Sequence, residues 1–201
     1  MKEITGNITH YEIVKDNQGV MDTDEQESVI VTDVKLPSDA PARMKTLRAD
    51  GKKWYMTVVY LPNTEKPYAL FCSTNNKEKT AQTSDAVERL IELARFKGIL
   101  EEHIAKLQEK MSADNNVNKL TRSISLLLRH NVSIVNIVSV LDQMEDIFVG
   151  SFLFQVKKFL SAYIKDGQRV EDGKCDDCGS KNVIYVEGCF QCVDCGSGHC
   201  G

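Results

Sequence analysis

Six of the seven cysteines (Cys175, Cys178, Cys189, Cys192, Cys195 and Cys200) fall within the last 27 of the chain's 201 residues. Four of them form two Cys-x-x-Cys-Gly turns, Cys175-Asp-Asp-Cys178-Gly179 and Cys192-Val-Asp-Cys195-Gly196. Such a turn puts two thiolates on one side of a tight loop. The trailing glycine can take positive φ, which lets backbone N–H groups point at the sulfurs. Two turns together close a tetrahedral four-thiolate shell, so Zn2+ is the expected ion, with iron as the competitor at an S4 site. A second shell, Cys175, Cys178, Cys189 and Cys192, would leave Cys195 to Cys200 as a flexible dithiol. The first shell is favoured because each of its pairs carries the trailing glycine. Either choice leaves two thiols beyond the four that zinc needs. They are spare sulfurs that help to load metal, or they are redox groups: an exposed thiol in a glycine-punctuated tail can attack a disulfide elsewhere when its pKa lies near ambient pH.

The elements that must hold this tail follow from pattern. Residues 175–201 are too few to form a core of their own and need metal or disulfides. Residues 165–174, KDGQRVEDGK, hold one apolar residue, Val170, and two glycines, and read as a linker. Residues 84–164 are helical. Ser84 is the expected N-cap of a first helix carrying Val87, Leu90, Ile91 and Ala94 and ending at Gly98. Ile104, Leu107 and Met111 mark a second. Val117, Leu120, Ile124, Leu127 and Leu128 mark a third, and Ile134, Ile137, Val138 and Leu141 a fourth. A fifth carries Phe152, Val156, Phe159, Leu160 and Tyr163. Segments 86–107 and 120–141 align at an offset of about 34 with a slip near Gly98, matching Arg95 to Arg129 and Ile104 to Ile137. Upstream, 28–36 and 53–60 are rich in β-branched and aromatic residues, and 53–60 with 68–73 reads as a hairpin. Residues 1–27 are polar and acidic and expected to be partly ordered. The expected fold is α+β: a part with a β-hairpin and a five-helix block over 28–164, the linker, and a small C-terminal zinc ribbon over 175–201.

Composition excludes some classes. No apolar run reaches the ~18 residues of a membrane span, and the N-terminus lacks a basic-then-apolar export pattern, so a cytoplasmic location is expected. The net charge of −4 argues against a non-specific grip on nucleic acid. So does residues 165–201 holding four Lys/Arg against seven Asp/Glu.

Longer strings carry a family likeness. They are Tyr55-Met-Thr-Val-Val59, Pro67-Tyr-Ala-Leu-Phe71, Asn115 to Leu120 running into Ile124 to Val132, and Val149-Gly-Ser-Phe-Leu-Phe154. Glu187-Gly-Cys189-x-x-Cys192-x-x-Cys195-Gly196 with Cys200 completes the set. Over roughly 35–201 the chain resembles the C-terminal TSCPD domain and zinc-ribbon tail of adenosylcobalamin-dependent (class II) ribonucleotide reductases. Asn131 stands where that family usually has glycine, a change that Asn accommodates because it too tolerates the left-handed region. The resemblance implies a component that docks on a separate catalytic barrel, which would hold the adenosylcobalamin. It also implies that Cys200, with Cys189 or Cys195, relays electrons from a thioredoxin-like reductant. A chain with no alternating βα pattern cannot contain that barrel, so it is not expected to reduce a ribonucleotide alone. The alternative is a non-catalytic zinc-ribbon adaptor or regulator whose helical surface binds a partner protein.

The remaining candidates read as structural. Cys72 is expected to be a buried core thiol, and His103 and His130 surface or capping histidines. Asp142, Glu145 and Asp146 are expected on a solvated acidic face.

Overall fold

The computed structural model describes residues 36–37, 39–62, 64, 66–75, 83–144, 147–171 and 173–199, the side chain of His199 excepted. Residues 1–27, all but the last residue of the strand expected at 28–36, and Cys200 lie outside them.

Strands β1 (Ala42–Ala49), β2 (Lys52–Tyr60) and β3 (Pro67–Thr74) form an antiparallel meander in that order. The expected hairpin is β2–β3, and β1 is an addition to it. Asp50 and Gly51 join β1 to β2 with φ of 49° and 69°, a two-residue turn whose left-handed residues match the strand twist. Trp54, Met56 and Val58 alternate on the buried face of β2, and Tyr68, Leu70 and Cys72 on that of β3. β1 is an edge strand, mostly exposed, carrying Arg43, Lys45 and Arg48; these charges discourage pairing with another chain. The other edge is covered by a helix, where Leu70 N donates to Ser125 Oγ (3.0 Å).

Five helices follow: α1 (Ser84–Phe96), α2 (Glu101–Met111), α3 (Asn116–Arg129), α4 (Ile134–Asp142) and α5 (Phe152–Ser161). They fall on the five apolar stripes. Thr83, not Ser84, takes the N-cap place of α1, and its hydroxyl donates to Asn116 O (3.0 Å), tying α1 to the start of α3. Asn115 and Ser151 cap α3 and α5 by accepting from Asn118 N and Phe154 N.

The internal repeat has a backbone signature. α1 ends at Gly98 (φ 73°), with Ile99 N donating to Ala94 O and Gly98 N to Arg95 O. α3 ends at Asn131 (φ 58°), with Val132 N donating to Leu127 O and Asn131 N to Leu128 O. Both are the same Schellman ending, with buried Ile99 and Val132 in equivalent places. These caps align at an offset of 33, so the Arg95–Arg129 match at 34 is not structural equivalence. The two helical hairpins pack with α1 against α3 and α4, and α3 lies on β3.

One core spans sheet and helices. Trp54 is fully buried, its ring 4.4 Å from that of Phe152 and its indole N–H donating to Ala49 O (3.1 Å). The expectation of a solvated face fails for Asp142. Its carboxylate meets Lys157 Nζ at 2.7 Å, with both side chains under a tenth exposed. Glu145 and Asp146 lie outside the described residues.

Cys72 sits in this core, and burial pushes its thiol up to about 12 from 9.0. A folded-state pKa above the unfolded one contributes stability that is complete below the unfolded value and is lost as pH rises through the folded one. Between about pH 9 and 12 the wild type should therefore lose stability that Cys72→Ala does not lose. Denaturant unfolding of both proteins across that range checks this; parallel decline would contradict it.

Candidate metal centre

The fold is α+β, and its second sheet carries the cysteines. β4 (Gln168–Arg169), β5 (Val183–Val186), β6 (Cys189–Cys192) and β7 (Gly198–His199) are antiparallel in that order. β4 comes from the segment read as a linker. Val170 there is buried beneath the sheet, so 168–170 belong to the ribbon's structure. β5 and β6 are joined by Glu187 and Gly188 at φ of 49° and 91°, another tight two-residue turn.

The two Cys-x-x-Cys-Gly-Ser turns fold identically. Gly179 N donates to Cys175 O (2.8 Å) and Cys175 N to Ser180 O (2.8 Å). Gly196 N donates to Cys192 O (2.9 Å) and Cys192 N to Ser197 O (2.8 Å). Gly179 and Gly196 stand at φ of 72° and 76°, which a side chain would strain. The β5–β6 hairpin brings the turns face to face. The sulfurs of Cys175, Cys178, Cys192 and Cys195 all lie within 4.8 Å of one another, and the group could hold a metal ion. Cys175 and Cys192 are buried; Cys178 and Cys195 form the outer side.

The surroundings suit thiolates. The Ser197 hydroxyl lies 3.1 Å from both Cys175 Sγ and Cys195 Sγ. Ser197, and then the Cys178 backbone N–H, lower the Cys175 thiol to about 6. Cys195 is lowered by the Ser197 hydroxyl and backbone N–H. At Cys178 the Ser180 backbone N–H pulls downward, but the Cys195 thiol, burial and the Cys192 thiol prevail and raise it to about 12. Four thiols this close share their protons unevenly, and a divalent cation that displaces them satisfies every sulfur at once. Asp194 braces the outside, accepting from Ser180 Oγ and from Asn182 Nδ2 (3.1 Å).

The ribbon is docked on the helical block. Val135 of α4 is buried with Val170, Val183 and Tyr185, and Ile164 and Phe190 touch both cores. Gln168 Nε2 donates to Ser133 Oγ (2.8 Å), and Glu171 receives Lys97 Nζ (2.8 Å) and Asn136 Nδ2 (3.2 Å).

Cys189 is not part of the cluster: it is disulfide-bonded, whereas Cys72, Cys175, Cys178, Cys192 and Cys195 are free. The second shell, which needs a Cys189 thiolate, is not the one assembled. Cys195 is free and stands among the four, and Cys200 lies outside the described residues. His103 and His130, expected as surface or capping histidines, are half-buried with ring centroids 5.2 Å apart, and His130 stands at the C-cap of α3.

Neither family models, curated proteins nor solved structures give a match to this chain. Among the described residues no helix is long and apolar enough to cross a membrane.

Proposed function

We propose that the chain is a thiol–disulfide carrier, the detached C-terminal component of a class II ribonucleotide reductase. The observation that carries this reading is the separation of roles among the tail cysteines. Four gather as a metal shell, while Cys189 stands outside it in a disulfide. Zn2+ held by Cys175, Cys178, Cys192 and Cys195 would fill its coordination and take no part in redox chemistry. In this reading Cys200 is the partner of Cys189. It is the one cysteine left once the five free ones are set aside. Phe190, the residue after Cys189, pairs with His199, the residue before Cys200 in the sequence.

The step balances as two-electron exchange. A Cys200 or Cys189 thiolate attacks a disulfide in the barrel's active site and forms a mixed disulfide. The second tail thiol resolves it, leaving the tail oxidised and the barrel pair reduced, with two protons taken up by the departing thiolates. A thioredoxin-like dithiol then reduces the tail. The string likeness in 35–201 supports the identity of the partner barrel, which would hold the adenosylcobalamin, in the cytoplasm.

The direct test is a thiol and metal count by native mass spectrometry with peptide mapping. One zinc and one disulfide mapped to Cys189 and Cys200, opened by thioredoxin with the zinc retained, is the expected result. In the reconstituted reaction, Cys200→Ser should lower thioredoxin-driven turnover to the level seen without thioredoxin. Full turnover by that variant would overturn the carrier reading, and with binding to the barrel retained would favour the adaptor.

A further inference from the structure

A cleft of about 280 Å3 opens between α2 and α3, with Leu70 and Phe71 of β3 at its base. Six of its lining side chains are basic: His103, Lys106 and Lys110 from α2, Arg122 and Arg129 from α3, and His130 at the cap of α3. None of the described lining residues is Asp or Glu. Two of the basic groups are paired with carboxylates, Arg122 Nε with Asp114 at 2.6 Å and His103 Nε2 with Glu102 at 3.6 Å, and Lys106 and His130 also have partners. In a chain of net charge −4, four Lys/Arg facing one concavity concentrate positive potential there.

The convergence follows from helix geometry. His103, Lys106 and Lys110 recur at three- and four-residue steps, and Arg122 and Arg129 two turns apart, so each set makes one stripe. Packing α2 against α3 turns the stripes toward each other. Two buried polar atoms on the walls, Arg129 Nε and His103 Nδ1, have no hydrogen-bond partner among the described residues. Arg129 Nε is always a donor, and none of the described residues accepts from it. The Arg129 guanidinium lies 5.3 Å from the centre of the Tyr68 ring, which steadies it at the cleft. Beside the cations, Phe71 exposes 54% of its surface and Leu107 and Leu126 line the wall.

We propose that this cleft binds a small phosphorylated molecule of the nucleoside-phosphate class, its phosphates against Arg129, Lys106 and Lys110 and its flat apolar part on Phe71 and Leu107. Planar guanidinium and flanking ammonium groups suit phosphate oxygens. The site is concave and small, unlike the extended basic face that a nucleic-acid strand requires. This inference is independent of the reading of the ribbon.

The test is calorimetric titration of the full zinc-loaded chain with ATP, AMP and pyrophosphate, alongside a single-stranded oligonucleotide and an acidic peptide. ATP and pyrophosphate should bind and compete. Lys106→Gln combined with Lys110→Gln, both at exposed positions, should weaken ATP by about tenfold or more. Arg129→Lys should weaken it while retaining the charge. ATP should also shift the imidazole proton resonances of His103 and His130, a readout that needs no variant to fold. Three outcomes would each overturn the proposal: no ATP or pyrophosphate binding; ATP binding unchanged in the double variant, the mark of an adventitious ion only; or tighter binding of the oligonucleotide or peptide than of ATP.

Discussion

Cys192→Ser is expected to release the metal and unfold the four-stranded sheet while the three-stranded sheet and the helices stay folded. The ribbon's buried set is Val135, Val170, Cys175, Val183, Tyr185 and Cys192, so two of its six members are cysteines of the candidate shell and one is borrowed from α4. Such a core cannot offset the entropy of ordering roughly thirty residues at ~1.5 kcal/mol each. A metal ion held by the four cysteines would supply the difference, and structural zinc contributes an apparent ~10–16 kcal/mol in small peptides. Cys192 is 2% exposed, so the serine oxygen that replaces its sulfur would be buried in a shell built for thiolates. The helical core has its own large buried set and meets the ribbon through Val135, Ile164, Phe190 and the polar contacts of Ser133, Lys97 and Asn136. Zinc assay and amide exchange check the outcome. The variant should hold no stoichiometric zinc, and amides over 168–199 should exchange freely while those of α1–α5 keep their protection. Chelator at neutral pH should reproduce this on the wild type. Acid should as well, because protons compete with metal for the thiolates and affinity falls as pH falls. Stoichiometric metal in Cys192→Ser with a protected sheet would show that another shell is used.

The candidate shell is legible in the sequence because it is local. Each Cys-x-x-Cys-Gly-Ser turn specifies its own fold within six residues, and the trailing glycines separate the assembled shell from the competing one. Five helices are legible because each buries a stripe at helical spacing, and a stripe is readable without knowing what covers it. β1 is not, since a strand with almost every side chain exposed has no alternation to read. Its usable signal is the Asp50-Gly51 pair ahead of the β-rich run. β4 and β7 are two residues each, too short for any period, and exist because β5 and β6 offer them edges. The basic cleft is hidden for a different reason. Its stripes lie on two helices whose meeting is decided by packing, and each alone reads as a solvated face. Asp142 escapes a sequence reading in the same way, because its partner lies fifteen residues on and becomes near only when α5 folds back on α4.

That pair bears on how the ribbon is held. Lys157→Met is expected to destabilise the protein by about 3–5 kcal/mol, because it strands the Asp142 carboxylate, 9% exposed, without its 2.7 Å partner. The carboxylate is poorly placed without a cation, since it ends α4, where the helix's own carbonyls already concentrate negative charge. Lys157 also lies 5.3 Å from the Phe154 ring centre, in surroundings that an unbranched apolar side chain can fill. Replacing both residues, Asp142→Leu with Lys157→Met, should therefore recover most of the loss, to within about 1 kcal/mol of wild type. Urea unfolding of the single and double variants gives the coupling. A single-variant cost near zero, or a double variant no better than the single, would show that the pair is not desolvated. The same variants reveal a direction of dependence. α4 presents Val135 and Asn136 to the ribbon at one end and Asp142 to α5 at the other. Loosening α4 in Lys157→Met should thus raise amide exchange in β4 and β5, whereas loss of the ribbon in Cys192→Ser should leave the α4–α5 contact protected. The helical block is the platform and the four-cysteine ribbon its dependent, so the ribbon cannot be positioned for any task unless α4 is fixed first.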